Sequence, residues 1–256
     1  MITKIVIKDN KKSPINNLHK IKAFKNGTEF TFNSGVNVII GENGCGKTTL
    51  LNLIRKYLII GYEQCEKGPY SKNIFNINIS DFDGVDVYAD YDKNTFNMMQ
   101  PLDRANHQDL RSGLDFILTY KQINSSTGES IMESMESMFN LAFCEDAKLK
   151  FDYEQFKDNY PKYYKYIQNH RVKDCPNEWT FIMDEPDRNL SLKYFKQIKG
   201  IISYHKENTQ IITVLHNPLL IYWASRQKHI NIIELSKGYK DKICKIIDSI
   251  NKKNDF

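Results

Sequence analysis

Short runs of apolar and β-branched residues recur along this chain and predict buried strands. The four strongest runs cover residues 36–40, 179–183, 210–215 and 230–235. Apolar residues at helical spacing follow three of them, over 49–60, over 190–203 and in a short stretch that ends at Trp223. Strands that alternate with helices predict a mostly parallel sheet with helices packed on its faces. The predicted fold class is therefore α/β.

The N-terminal residues follow a different pattern, which predicts antiparallel strands. Residues 2–8 alternate loosely between apolar and polar, and residues 18–24 form a second candidate strand. An Asn26-Gly27 turn signal precedes a third candidate strand at 29–32. Further candidate strands lie at 74–79, 85–91 and 243–247. The predicted fold is thus a parallel sheet with antiparallel strands added at its N-terminal end.

The middle of the chain departs from this order of strands and helices. Residues 62–124 are polar and irregular, most of all at 94–111, which predicts a surface lobe or lid. The methionine-rich run 131–143 places apolar residues on one helical stripe, which is typical of a core-facing helix. Lysines and tyrosines interleave over 153–171. Nucleic-acid contact would explain that segment, but a surface helix with inward tyrosines is the favoured interpretation.

Composition narrows the class of protein only slightly. The chain has 256 residues, with 36 basic and 31 acidic side chains and a formal net charge of +5, which neither requires nor excludes a polyanionic partner. The five cysteines include no C-x-x-C pair, so we predict neither a disulfide framework nor a zinc site, and a cytoplasmic location fits best. Lysines interrupt the N-terminus, and no run of about 18 apolar residues occurs, so we expect no insertion into a membrane.

The strongest motif in the chain lies between the first buried strand and the helix that follows it. Residues 41–48, G-E-N-G-C-G-K-T, match the P-loop pattern G-x-x-x-x-G-K-[ST]. Glycines let backbone N–H groups turn toward phosphate oxygens, and the helix N-terminus adds a partial positive charge. Lys47 would reach the β- and γ-phosphates, and Thr48 would offer its hydroxyl to Mg²⁺. The residues expected around ATP are Gly41, Asn43, Gly44, Cys45, Gly46, Lys47, Thr48 and Thr49.

Polar residues at the ends of two later strands supply the other groups that nucleotide hydrolysis needs. Asp184 is placed to hold Mg²⁺, as a Walker-B aspartate does. Glu185 is the natural general base or water-orienting group, and His216 could contact the γ-phosphate. An Asp-Glu pair at a strand end is a weak signal by itself. With a P-loop upstream it becomes a strong one.

The P-loop, the D-E-P sequence at 184–186 and the strand-terminal His216 together resemble the ATP-binding cassette (ABC) class of ATPases. The resemblance implies a single ATPase domain that binds ATP and Mg²⁺. It also implies a core lobe of residues 1–61 and 179–256, with a helical lobe and an insertion at about 62–178.

In the ABC class a signature loop from one subunit completes the nucleotide site of another. Residues 124–130, N-S-S-T-G-E-S, are similar to that loop, with Ser126 and Gly128 at the phosphate-facing positions. A Ser-Gly turn at a helix start is physically suited to binding phosphate. The class also uses a glutamine near the nucleotide and its metal, and Gln100 is the candidate by its distance beyond Lys47.

The details resemble the soluble branch of the class more than transporter cassettes. That branch includes RecF-like repair ATPases, structural-maintenance-of-chromosomes heads and overcoming-lysogenization-defect ATPases. The signature-like loop reads S-S-T-G-E-S rather than L-S-G-G-Q, and residues 184–191 and 215–220 are similar to compact ATPases of that branch. No heptad segment for a coiled coil occurs. Phe24 and Phe30 are equal candidates for the aromatic side chain that stacks on adenine.

The resemblance implies an ATPase that forms a homodimer around two ATP molecules, with Lys47 and Glu185 of one subunit facing Ser126 of the other. Such a switch would act in DNA repair or in defence against foreign DNA, with DNA and a separate nuclease or effector protein as partners. Two alternatives stay open, a transporter cassette and a nucleotide sensor that does not hydrolyse ATP. The signature-like loop counts against the first alternative, and Glu185 counts against the second.

Overall fold

The computed structural model describes residues 1–13, 18–58, 83–90, 95–99, 157–158, 161–175, 179–188, 192–203 and 209–253. Its strands are β1 (Ile2–Ile7), β2 (Glu29–Thr31), β3 (Val36–Ile40), β4 (Val85–Ala89), β5 (Thr95–Met99), β6 (Trp179–Asp184), β7 (Thr209–Val214) and β8 (Ile230–Glu234). Its helices are α1 (Lys47–Leu58), α2 (Pro161–His170), α3 (Phe195–Ser203), α4 (Pro218–Ser225) and α5 (Tyr239–Lys253). The candidate strand 74–79, the run 131–143 and most of the expected lobe and insertion at 62–178 lie outside the described residues.

Five strands form a parallel sheet in the order β5-β6-β7-β3-β8. Every residue of β3, β6 and β7 is buried. Unbroken apolar runs are expected in strands that are covered on both faces. The predicted α/β fold with a mostly parallel sheet is confirmed.

Two apolar cores lie on the two faces of this sheet. Val36, Val38 and Ile40 belong to the core that contains residues of α3, α4 and α5. Ile39, which lies between them in the strand, belongs to the core that contains residues of α1 and of the antiparallel strands. This alternation follows from the two-residue period of a strand, so a single short segment joins both cores immediately before the P-loop.

A separate antiparallel sheet has the order β2-β1-β4, as the N-terminal pattern predicts in part. The third strand of this sheet, β4, comes from the range 62–178, which the sequence assigns to a separate helical lobe. The edge strand β5 comes from the same range and pairs with β6 in parallel register. That range therefore contributes one strand to each sheet of the core.

A buried glutamine on β7 connects the two sheets. The Gln210 side chain accepts a hydrogen bond from the Ile2 backbone N–H at 2.8 Å and donates to the Ile2 carbonyl oxygen at 2.7 Å. Its amide also donates to the Asn33 carbonyl oxygen at 2.7 Å. Gln210 thus pairs the buried backbone N–H and carbonyl of Ile2. A buried backbone group of this kind costs about 1–3 kcal/mol when it is left unsatisfied.

The predicted strand at 18–24 is wrong. Leu18–Lys20 is a 3₁₀-helix, and successive turns follow in which the N–H of Ile21 bonds to the Leu18 carbonyl and the N–H of Phe24 bonds to the Ile21 carbonyl. Leu18 and Phe24 are fully buried. Their burial produces an apolar pattern that a short window cannot distinguish from that of a strand.

The predicted final strand at 243–247 is also wrong, because these residues lie inside α5. Ile243 and Ile247, which are spaced one helical turn apart, face the core, and the carboxylate of Glu234 accepts N–H groups of Gly238 and Lys240 at the helix start. The helical spacing of apolar residues becomes clear only over the whole of α5, and the five residues 243–247 are too few to show it. Neither α5 nor any other helix in the described part of the chain is long and apolar enough to cross a membrane.

Helix α2 contains most of the described part of the segment with interleaved lysines and tyrosines. Tyr166 turns inward, where its hydroxyl accepts a hydrogen bond from the Val87 N–H at 2.8 Å, and Ile167 is fully buried. Lys162 and Lys165 are exposed. This arrangement agrees with the favoured interpretation of a surface helix with inward tyrosines.

Candidate functional site

A cavity of about 520 Å³ lies at the C-terminal ends of β3, β6 and β7. Its volume falls within the range of about 300–1,000 Å³ that is usual for small-ligand sites, and its position is the usual one in open α/β sheets. The residues that line it are Ile21, Asn43, Gly44, Gly46, Lys47, Thr48, Thr49, Glu185, Arg188 and His216. The fold therefore brings the P-loop together with Glu185 and His216.

Asp184 and Gly41 are expected at the site but are not among the residues that line the cavity. Asp184 is the last residue of β6 and is 9% exposed. Gly41 directly follows β3. Ser126, Gly128 and Gln100 lie outside the described residues.

Two positions of the P-loop accept only glycine. Gly46 has φ +103°, and a Cβ there would lie 2.5 Å from the Phe24 ring and 2.8 Å from the Ile21 side chain. At Gly41 a Cβ would lie 2.6 Å from Cys45 Sγ. Close packing on both glycines, together with a left-handed φ, fixes the path of the loop around the cavity.

The ammonium group of Lys47 is held inside the loop. Its Nζ donates to the Gly41 carbonyl at 2.8 Å and to the Glu42 carbonyl at 3.0 Å, and the residue is only 5% exposed. An ammonium group has three protons, of which these contacts use two. The lysine is therefore oriented in advance, with its charge at the wall of the cavity.

A serine that the sequence analysis did not single out supports the same loop. Ser236 Oγ accepts a hydrogen bond from the Glu42 N–H at 3.1 Å, and it would lie 3.1 Å from a Cβ at position 41. Ser236 follows β8, which pairs with β3. The pairing of these two strands therefore places Ser236 beside the P-loop.

Glu185 and His216 form a close pair across the ends of β6 and β7. His216 Nε2 lies 2.9 Å from Glu185 Oε1, and Arg188 Nη1 lies 3.7 Å from Glu185 Oε2. Glu185 has φ +52°, an uncommon left-handed conformation for a residue with a Cβ. Arg188 was missed at the sequence level, although its position three residues after Glu185 in a turn could have indicated the contact.

A buried carboxylate connects the turn after β6 to the tip of β7. Asp187 is 7% exposed, and its Oδ2 accepts hydrogen bonds from the backbone N–H of His216, at 2.9 Å, and of Asn217. Burial raises the pKa of Asp187, and these two backbone donors act in the opposite direction. Asn217 is also the N-cap of α4. Asp187 therefore fixes the segment that carries His216.

Asp187→Ala should destabilise the fold by about 1–3 kcal/mol and also slow any turnover that depends on His216, because two partly buried N–H groups lose their acceptor. Asp187→Asn keeps an acceptor oxygen and should retain more of both properties. Urea unfolding and ATP turnover measure the two effects. A stable Asp187→Ala protein with unchanged turnover would contradict this role.

Neither aromatic candidate for adenine stacking is available in this structure. Phe24 is fully buried and Phe30 is 7% exposed, and their rings pack edge to face with centroids 5.5 Å apart. Both residues belong to the apolar core. Ile21 is the apolar side chain that lines the cavity instead.

The donor set fits a magnesium ion that is held largely by phosphates. Thr48 lines the cavity, and Asp184 ends the adjacent part of the sheet. Within the described ranges no group of three or more His, Cys, Asp or Glu side chains is placed to hold a metal ion. Mg²⁺ at nucleotide sites usually needs only one or two protein oxygens, because phosphates and water supply the rest. Thr48 and Asp184 could provide these oxygens.

Comparison with known proteins gives a family for this chain. A family model described as an AAA domain matches residues 17–255. The chain belongs to the AAA domain family. This membership confirms the class that was predicted from the motifs, an ABC-class P-loop ATPase with a nucleotide-binding domain.

One solved structure similar to this AAA domain is described as a nucleotide-free ATP-binding cassette from an ABC transporter. The two chains are 14% identical, the TM-score is 0.38, and the match covers 92% of this chain and 88% of the other. The comparison with curated proteins gives no match.

Proposed function

We propose that this AAA domain binds ATP with Mg²⁺ and hydrolyses it to ADP and phosphate. The observation that carries the proposal is that Lys47 and the Glu185–His216 pair line the same cavity. A phosphate-binding cation and a carboxylate close to a histidine are the groups that phosphoryl transfer to water requires. The left-handed φ of Glu185 further supports a functional role, because such strain is concentrated at active sites.

In the proposed mechanism Lys47 binds the β- and γ-phosphates, and Thr48 and Asp184 would hold the Mg²⁺ that neutralises developing charge. A water molecule attacks the γ-phosphorus, the bond from that phosphorus to the bridging oxygen breaks, and Glu185 accepts the proton of the water. His216, whose Nε2 lies 2.9 Å from Glu185 Oε1, would orient the carboxylate and contact the γ-phosphate. ADP is the leaving group.

We further propose that two copies of the chain complete each other's sites. The side chains of Glu185, His216 and Arg188 are 25%, 33% and 64% exposed, so this wall of the cavity is open to a partner. Ser126 and Gly128 of the second copy would approach the phosphates there, and Gln100 of the first would approach the metal. A two-fold axis would make both sites identical.

Binding and hydrolysis of ATP would then close and open the dimer and act as a switch on other molecules. The proposed setting is DNA repair or defence against foreign DNA. DNA and a separate nuclease or effector protein are the proposed partners. The basis for this setting is the resemblance of residues 124–130, 184–191 and 215–220 to the soluble branch of the ABC class.

The test is the solution mass of the hydrolysis-deficient variant Glu185→Gln with and without Mg²⁺–ATP. The expected result is a nucleotide-dependent rise from 30.0 kDa to about twice that mass. The double variant with Lys47→Ala is the control and should stay monomeric. A monomer that binds ATP to saturation would contradict the sandwich dimer.

A further inference from the structure

The positive charge of this protein is concentrated at its N-terminal end. Residues 1–35 contain seven lysines and two carboxylates, a net of +5, which equals the formal charge of the whole chain. The remaining residues balance at 29 basic and 29 acidic side chains. An asymmetry of this kind is typical of a surface that contacts a polyanion.

The structure gathers five of these lysines on two adjoining loops. We call them the N-terminal basic surface: Lys11, Lys12, Lys20, Lys22 and Lys25, all exposed. Asn10 joins the loops, because its side chain donates to the Phe24 carbonyl at 2.8 Å and its backbone N–H donates to Asn26 Oδ1 at 2.8 Å. The two loops that carry these lysines are therefore held side by side.

Little negative charge offsets this surface. Asp9 lies 3.7 Å from Lys12, and the other acid of the segment, Glu29, lies 3.7 Å from Lys4. Asp86 is in contact with Lys8 and lies 3.2 Å from His170 Nε2. Among the described residues no carboxylate comes within ion-pair distance of the other four lysines of the surface.

The local sequence explains why the lysines point outward. In K-I-K-A-F-K the apolar residues Ile21 and Phe24 turn toward Gly46 of the P-loop, so the lysines between and beside them face solvent. Ile21 also lines the nucleotide cavity. The N-terminal basic surface therefore adjoins the ATP site through a single residue.

We propose that the N-terminal basic surface binds the phosphodiester backbone of double-stranded DNA without reading its sequence. Lysines act as point charges that suit phosphate contacts, and residues 1–35 contain no arginine, the usual side chain for bidentate base contacts. Phe24, Phe30 and Phe32 are buried, so none is available to stack on unpaired bases. The inference rests on the proposed function, in which DNA is a partner of this protein, and assigns the surface to which that DNA binds.

Two other polyanions fit this surface less well. A surface that docks on anionic lipid normally adds apolar side chains, and none of the large hydrophobic residues exposed in the described ranges lies in this segment. An acidic protein would need shape complementarity, whereas flexible lysines spread over two loops suit a uniform line of phosphates.

The test is fluorescence anisotropy with a 30-base-pair DNA duplex and the full chain without nucleotide. Affinity should fall about 150- to 500-fold between 50 and 200 mM salt, as four to five phosphate contacts predict. The triple variant Lys20→Glu, Lys22→Glu, Lys25→Glu should bind about 10-fold more weakly or worse. It should also reduce the slope of log affinity against log salt by about 3.

A matched control variant makes the same change in net charge at three exposed lysines elsewhere in the chain, Lys228→Glu, Lys245→Glu and Lys252→Glu. This control should keep most of the affinity and the slope. Equal loss in both triple variants, or loss in neither, would overturn the proposal. Tighter binding to single strands than to duplex, or binding to vesicles with phosphatidylserine but not to DNA, would also overturn it.

The anisotropy assay contains no nucleotide, so its result does not depend on whether the protein hydrolyses ATP. If the protein does not bind DNA, the proposals of ATP hydrolysis and of the dimer still stand, and their own measurements test them. Loss of ATP turnover in Glu185→Gln, conversely, leaves the anisotropy result unchanged. Thermal melting of both triple variants, compared with the parent, shows that each is folded.

Discussion

Glu185→Gln should reduce the rate of ATP turnover by about 10²–10⁴-fold, the usual contribution of a positioned general base. The amide has nearly the same shape as the carboxylate but cannot accept a proton from water. It also removes the negative charge that lies 2.9 Å from His216 Nε2 and 3.7 Å from Arg188 Nη1. Lys47 and the P-loop backbone are unchanged, so ATP affinity should stay within about twofold of the parent.

Phosphate release and equilibrium ATP binding, measured on the same protein sample, separate these two effects. Glu29→Gln is a matched control, because its carboxylate is exposed and contacts Lys4 in the antiparallel sheet. That variant should hydrolyse ATP at the parental rate. If Glu185→Gln also does so, Glu185 has no part in the chemistry.

Lys47→Ala should weaken ATP binding by about 10- to 100-fold, because charge-assisted hydrogen bonds to phosphate contribute about 1.5–3 kcal/mol each. The substitution also removes the donor that the Gly41 and Glu42 carbonyls share, which loosens the loop around the cavity. Titration with a fluorescent ATP analogue in the presence of Mg²⁺ measures the dissociation constant.

The control for this variant is Lys245→Ala, which removes an exposed lysine of α5 and the same formal charge. It should bind the analogue as the parent does. Unchanged affinity in Lys47→Ala would show that the cavity does not bind phosphates through the P-loop.

The parts of the fold that were predicted correctly are those that local sequence determines. The strand at 36–40, the helix after the P-loop and the strand before Asp184 each combine an unbroken apolar run with a clear boundary signal. The errors at 18–24 and 243–247 arose because apolar runs of five to seven residues are too short to distinguish the period of a helix from that of a strand. Strand β5 was missed because its place at the edge of the sheet depends on pairing with β6.

The same distinction holds for the candidate site. Lys47, Glu185 and His216 were found because each lies in a motif or at a strand end. Asp187 and Ser236 were not, because their partners are backbone N–H groups far away in the chain. Such contacts depend on how strands pair. Sequence patterns do not report them.

ATP turnover by the purified protein with Mg²⁺, compared with that of Lys47→Ala and Glu185→Gln under single-turnover conditions, decides whether this cavity hydrolyses ATP. Hydrolysis at this cavity predicts phosphate release by the parent and little or none by either variant, with ATP still bound to Glu185→Gln. Equal phosphate release by all three proteins, or none by a parent that binds ATP, would contradict it.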